Sequence, residues 1–548
     1  MASAARQDTA PPLPDGAQPP GRRLWGHVLR RCLLVPLVVF VPLLAAAPRG
    51  DHRFNIYWHG GMFRDDPLRI ISHTVATGET YLRLGNFRPL GRMLEKALDT
   101  LVLLGAEQLH LSPAITLRLV SLGAAMVLTL AVVLFAESVL TRGRLFASPP
   151  SVVALLLPYA VAAGFVAAGR NSTTTLFGGL YLSTAALVLS VAAAACRLER
   201  MRWWHGVLAV TAGGALAIFN EPAYFAVPLA TAAVLLRGRF VLGQSFRETL
   251  TSAGARFAAL LWAGFLPVFA GIRRIIQGYC ADGGCYHGSD IAVDARALVV
   301  LPARMLAWLP PAQWQAATER TGGTWAWGVL PVVTLVVLVV LAARTRKLSA
   351  WAARPGTGPL AGLAAAAAIL LVFGAMPAAL SVEVHTYYTG RALLEQGWRD
   401  SATTAPAGML LAVVLLVLLS RARPVPSSRV RPVPSGDARP GLSSGGGRHA
   451  TGLILGVLVL CATGSAAANR AYADVAAGWQ SAQLDNRIAL AIGAFEPGEA
   501  GNVRRCGLLA EALRSTEDRP LHQKRYTDSL DAAAQALAGV PFCQEPHE

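Results

Sequence analysis

The sequence predicts an all-α membrane protein with about eleven transmembrane helices, a long first external loop and a small external helical domain at the C-terminus. Three observations predict it. The 548 residues are 54% hydrophobic and 15% charged, where soluble domains carry roughly a quarter charged residues. Apolar windows close to the roughly 20 residues that a membrane helix needs recur along the whole chain. Basic residues crowd into alternate connections between those windows.

Residues 1–29 open Pro-, Ala- and Gly-rich without an apolar stripe, which predicts a disordered cytoplasmic N-terminus. They do not read as a cleavable signal peptide, since Ala45–Ala47 is the one small-residue candidate site. The polytopic part is expected over 30–468. Its windows fall near 31–48, 115–137, 151–169, 175–195, 205–220, 222–236, 257–272, 326–343, 358–380, 404–420 and 450–468. Each must be helical, because the bilayer core has no water to satisfy the backbone. Between them lie the first external loop (49–113), a second external loop (273–325) and a cytoplasmic linker (421–449) that repeats R-P-V-P-S. The first loop is too long for a simple connection. Its 91–112 part has helical spacing, with Leu94, Leu98, Leu101, Val102 and Leu104 as an apolar face and Glu95, Lys96 and Asp99 interleaved; that pattern fits a helix lying in the interface plane or an ordinary amphipathic connector. Trp308, Trp314 and Trp325 of the second loop read as interfacial anchors. The tail 469–548, Ala- and Leu-rich, predicts the external helical domain.

Orientation follows from the arginines. The N-terminus and alternate later loops hold 24 basic against 6 acidic residues, which accounts for the whole +17 of the chain. The sequence pI near 10.2 therefore reports sidedness and is no sign of nucleic-acid binding. The N-terminus is expected inside and, with an odd number of spans, the C-terminus outside, in a plasma membrane. Cys280, Cys285, Cys506 and Cys543 then fall outside, in pairs, which predicts the disulfides Cys280–Cys285 and Cys506–Cys543.

Chemistry-bearing residues gather in the external loops. Asp65 and Asp66 stand side by side; Asp66 before Pro67 fits a helix cap, and either carboxylate suits a general base. Arg69, Arg88 and Arg92 offer planar forks for phosphate. Arg88 and Arg92 fit equally well as partners of Glu95 and Asp99 or of lipid headgroups. Asn220 and Glu221 sit at a predicted external turn, and His385, Tyr388 and Arg391 in another, where sugar, phosphate or an interfacial aromatic belt are alternative uses. No HExxH and no GxxxxGK[ST] occurs, so neither a zincin-like metal site nor an ATP-driven engine is expected.

The run R-D-D-P-L-R at 64–69 and, about twenty residues on, N-F-R-P-L-G-R at 86–92 resembles GT-C-type membrane glycosyltransferases, and among them the bacterial GtrII-like enzymes, whose first external loop reads D-D…R…G…G-R-P-L. The order R-P-L-G-R departs from that pattern. The resemblance covers Asp65, Asp66, Arg69, Gly85, Arg88, Pro89, Leu90, Gly91 and Arg92. It implies a GT-C-like fold, a polyprenyl-phosphate-linked sugar as donor, an external active site, and an acidic residue of the first loop, Asp65 or Asp66, as base. The expected reaction is transfer of that sugar to a cell-envelope glycan or lipid acceptor. The rivals are a transporter or lipid flippase, and a non-catalytic envelope assembly protein. A transporter buries charge near the midplane at broken helices.

Overall fold

The computed structural model describes residues 20–169, 171–281, 285–286, 290–318, 328–386, 396–422 and 446–544. Helices make up about four fifths of it, and strand pairing among these residues is limited to two isolated bridges, Ser151 with Ala353 and Ile291 with Ser381. In chain order the helices are α1 (Pro20–Phe40), α2 (His52–Phe63), α3 (Arg69–Ala76), α4 (Gly78–Arg83), α5 (Pro89–Leu109), α6 (Pro113–Leu140), α7 (Val152–Ala163), α8 (Gly178–Arg197), α9 (Trp203–Ala217), α10 (Ala226–Arg237) and α11 (Phe246–Leu250). There follow α12 (Ala253–Cys280), α13 (Ala295–Leu306), α14 (Pro310–Thr318), α15 (Val329–Leu348), α16 (Thr357–Ala379), the single turn α17 (Val382–Val384), α18 (Ser401–Ala422), α19 (Gly446–Ala477), α20 (Gln480–Gly493), α21 (Glu499–Arg514) and α22 (Pro520–Ala538).

Each of the eleven apolar windows overlaps a helix, but among the described residues nine segments are long and apolar enough to cross a membrane. The other two windows fall on α7 and α9, of 12 and 15 residues. At 1.5 Å per residue these are about 18 and 22 Å long, short of the roughly 30 Å hydrocarbon core. Every residue of α7 is buried, as its all-round apolar sequence requires. It is the middle of the bundle, packed by α1, α18 and α19. By contrast α12 and α15 are only 28% and 33% buried along their apolar windows, which makes them peripheral.

Local signals start the helices where serines stand. Ser112, Ser151 and Ser252 cap α6, α7 and α12, each hydroxyl accepting from the backbone N–H three residues on. Residues 20–29, expected to be disordered, are helical: α1 begins at Pro20, because Leu24, Trp25 and Val28 are buried and Trp25 Nε1 donates to Ser148 O at 3.0 Å. Residues 1–19 lie outside the described part, as do 423–445 of the predicted linker.

Polar groups inside the bundle tie backbone together. Arg118 of α6, 1% exposed, donates to Ala46 O, Ala47 O and Thr175 O at 3.1, 2.7 and 2.7 Å. Asn469 binds Val39 O, Phe165 O and the Ala167 N–H. Asn469 sits inside α19, which runs on to Ala477 before the helices of the tail. At one end of the bundle Arg142, Arg197 and Arg237 donate to carbonyls at and beyond the C-terminus of α6 and to Val241 O, where a helix leaves acceptors unfilled.

The other end carries α2–α5 and the tail. The tail is packed against the first loop in one core, with Phe54, Tyr57, Val102 and Leu103 against Leu484, Ile488, Tyr526, Leu530 and Phe542. Arg53 of α2 pairs with Asp485 of α20 at 2.6 Å, and Tyr526 of α22 donates to the same carboxylate at 3.2 Å. Gly61 permits the contact: a Cβ there would lie 2.3 Å from the backbone of Ala532. Both predicted disulfides form. Cys506–Cys543 closes the tail, and Cys280–Cys285 holds the end of α12 beside Leu84, whose carbonyl accepts from Tyr286 N at 3.0 Å. Two of the tryptophans expected at the interface are half-buried and packed on the bundle: Trp308 lies against Gly408 and Trp314 Nε1 donates to Ser465 Oγ at 3.0 Å. Trp325 lies outside the described residues.

Candidate functional site

The run R-P-L-G-R is the hinge of the site. Pro89 opens α5 at the position where a missing N–H costs nothing. The next two N–H groups, of Leu90 and Gly91, donate to Ile218 O and Phe219 O at 3.2 and 3.1 Å. The orphan donors of one helix thus meet carbonyls just past the end of α9. Only glycine allows this approach, since a Cβ on residue 91 would sit 2.3 Å from Phe219 O. The docking brings Arg88 to Glu221 across 133 residues of sequence, Nη1 to Oε2 at 3.2 Å. Burial alone would lower the Arg88 guanidinium; Glu221, with smaller help from Tyr181, Glu95 and Tyr286, offsets this and holds it above its ordinary value.

Two cavities meet at this pair. One, about 410 Å³, is polar and is lined by His59 and Asn55 of α2, Arg92, Glu95 and Lys96 of α5, and Arg88. Arg525 of the tail and Tyr286 beside the disulfide complete its wall. The other, about 340 Å³, is lined largely by apolar side chains, among them Phe87, Phe225, Phe269, Ile272, Met376 and Leu380. Glu221 and Arg273 stand in its wall, while Asn86 and Arg399 line both cavities. The charges of Arg88, Arg399 and Arg273 all bear on the one Glu221 carboxylate, so the seam carries an excess of positive charge.

The polar row of α5 is buried along with part of its expected apolar face. The buried positions include Glu95, Lys96 and Asp99 beside Val102 and Leu103, while Leu101 is exposed. The physical reason lies on α2, where His52, Asn55 and His59 follow helical spacing and face that row. Asn55 Nδ2 donates to Glu95 at 3.0 Å, and Arg92 meets the other Glu95 oxygen at 3.4 Å while lying 4.2 Å over Tyr81. His59 Nδ1 lies 2.8 Å from Asp99 Oδ2, and His52 Nδ1 lies 3.6 Å from Oδ1. Burial pushes the Asp99 carboxyl up, but the His52 and His59 imidazoles beside it outweigh that and hold it below the usual carboxylate range.

Lys96 Nζ is 2.9 Å from both His73 Nδ1 and Thr74 Oγ1. Burial first, then the charge of Arg92, depress it from 10.5 to about 8. Between those values the unfolded chain holds a proton that the folded protein has released, so this residue's unfavourable contribution fades as pH rises from about 8 to 10.5. The apparent melting temperature of the wild type, taken relative to Lys96→Gln, is expected to climb through that window. A pH-independent difference would show that Lys96 titrates normally.

The other expected site residues part company. Asp65 and Asp66 are exposed and line neither cavity: Asp65 pairs with Arg64 at 3.0 Å, and Asp66 accepts from Leu68 N at 3.2 Å as the cap of the turn before α3. Arg69, exposed at the start of α3, is likewise outside both. Asn220, fully buried, is spent on Thr184 Oγ1 and on the Ala223 N–H. His385, also buried, donates through Nε2 to Ala379 O at 2.7 Å, with Nδ1 3.8 Å from Asp294, and faces neither cavity. Tyr388 and Arg391 lie outside the described residues. Arg88, Arg92 and Glu221 are brought together. Sequence reasoning missed His59, Asp99 and Arg273; the usable signal was the matching helical spacing of His52, Asn55 and His59 with Arg92, Glu95 and Asp99. Compared with known protein families, characterised proteins and solved structures, the chain finds no match.

Proposed function

We propose that this chain is a multi-pass membrane glycosyltransferase that moves a sugar from a polyprenyl-phosphate carrier to a cell-envelope acceptor on the extracytoplasmic side. The observation that carries the reading is the seam itself: an apolar cavity and a polar cavity joined at Arg88, Glu221 and Arg399, with Arg273 close by. A lipid-linked sugar has the same three parts. Its isoprenoid chain suits the apolar cavity, its phosphate the arginines, and its sugar the polar cavity with the acceptor. The resemblance of the first loop to GT-C-type enzymes points the same way.

In this reading the acceptor oxygen attacks the anomeric carbon as the bond to phosphate breaks, which inverts that centre. The arginines stabilise the charge gathering on the leaving phosphate. The arginine-rich end, with Arg142, Arg197 and Arg237, is taken as cytoplasmic, so the cavities and the tail face outside. The loop carboxylates Asp65 and Asp66 would have to swing in from their exposed positions to act as base.

The test is release of polyprenyl phosphate from a panel of polyprenyl-phosphate sugars by the purified protein in lipid nanodiscs, with cell-envelope extract as acceptor. Acceptor-dependent release supports a transferase. Tight donor binding without release would favour a flippase, and neither would favour an assembly role.

A further inference from the structure

We propose that His59 is the proton acceptor of the transfer, with Asp99 as its positioning residue; this rests on the transferase reading above. His59 lines the polar cavity and its side chain is 16% exposed, whereas that of Asp99 is 2% exposed. The 2.8 Å contact commits His59 Nδ1, as donor, to the buried carboxylate. Nε2, on the opposite edge of the ring, has no hydrogen-bond partner among the described residues and is left for the cavity.

The His52 ring beside the second oxygen of Asp99 has a tautomer that its backbone contact assigns. The Phe177 N–H donates to His52 Nε2 at 2.8 Å, so that nitrogen carries no proton. The neutral His52 ring therefore has its proton on Nδ1, 3.6 Å from Asp99 Oδ1. Asp99 is thus flanked by two imidazoles of which only His59 reaches the cavity. The backbone reinforces the placement, since Thr100 Oγ1 donates to His59 O at 3.3 Å. A buried carboxylate that orients a histidine and leaves its far nitrogen facing a cavity is the arrangement of a general base.

The step balances without a further reactant. The acceptor hydroxyl oxygen forms its bond to the anomeric carbon and gives its proton to His59 Nε2. The carbon–oxygen bond to phosphate breaks with its electron pair staying on the phosphate, which leaves as polyprenyl phosphate beside Arg88 and Arg399. The imidazolium, stabilised by Asp99, then returns its proton to water.

The experiment is the nanodisc release assay with wild type, His59→Gln, His59→Ala, Asp99→Asn, Asp65→Asn and Asp66→Asn, each checked for folding by its melting curve. Glutamine keeps a donor for Asp99 but cannot take the proton. His59→Gln is expected to lower kcat by about 10²- to 10⁴-fold, with the KM for donor little changed. Added imidazole is expected to restore part of the His59→Ala rate, a gain that a purely structural histidine would not give, and to leave Asp99→Asn unimproved. An active wild type with an equally active His59→Gln overturns the assignment and leaves the transferase reading standing. A raised KM at unchanged kcat, or loss confined to Asp65→Asn or Asp66→Asn, also overturns it. A wild type that releases no polyprenyl phosphate removes both.

Discussion

Replacing Arg88 by glutamine is expected to lower polyprenyl phosphate release by about 100- to 1,000-fold, the usual cost of removing one preorganised group that meets developing charge. Arg88 stands at the seam between the cavities, 14% exposed, with its charge held by Glu221. A phosphate arriving there meets a guanidinium already oriented, so little reorganisation accompanies bond breaking. Arg88→Lys keeps the charge but loses the planar fork, and should fall between wild type and Arg88→Gln. Glu221 retains Arg399 and Arg273 in either variant, so the melting temperature should move little compared with the rate. Equal release by wild type and a folded Arg88→Gln protein would take the phosphate away from this seam.

The largest expected loss of stability is at Arg304. Its side chain and that of Asp400 are 1% and 0% exposed, joined by two hydrogen bonds of 2.8 and 2.5 Å, and Arg304 Nη1 also donates to Gln396 O at 2.6 Å. Arg304→Ala strands a buried carboxylate, which costs about 3–5 kcal/mol. The double variant Arg304→Met with Asp400→Asn removes both charges and should recover much of that loss. Asp400 adjoins Arg399 and lines the apolar cavity, so release should fall in Arg304→Ala as the arginine loses its anchor. Matching melting temperatures for wild type and Arg304→Ala would show that the pair contributes nothing.

Much of the helical architecture was legible because membrane crossing imposes a length and a composition that local sequence cannot disguise. All eleven apolar windows lie on helices, although α7 and α9 are too short to cross unaided. The two disulfides were legible because the cysteines in the loops expected outside came in pairs. Arg88, Arg92 and Glu221 were singled out because charge beside an apolar span needs a use. His59 and Asp99 were not, since each lies on a different helix and neither forms a motif along the chain. The doublet Asp65–Asp66 drew notice as a motif, yet in the fold it is a solvated pair and a turn cap.

The sequence by itself determined the membrane class, the positions of the apolar helices and the cysteine pairing, because these depend on local composition and spacing. Only the tertiary structure decided which way the polar face of α5 looks. Periodicity puts Glu95, Lys96 and Asp99 on one face but is blind to whether water or protein lies opposite. The answer came from α2, which brings histidines and an asparagine to that face, and from the tail, which closes over α2 through Arg53, Asp485 and Tyr526. Polar groups shut away from water need partners, and those partners lie 40 residues away for Glu95 and Asp99 and 432 away for Arg53, distances that no local pattern records.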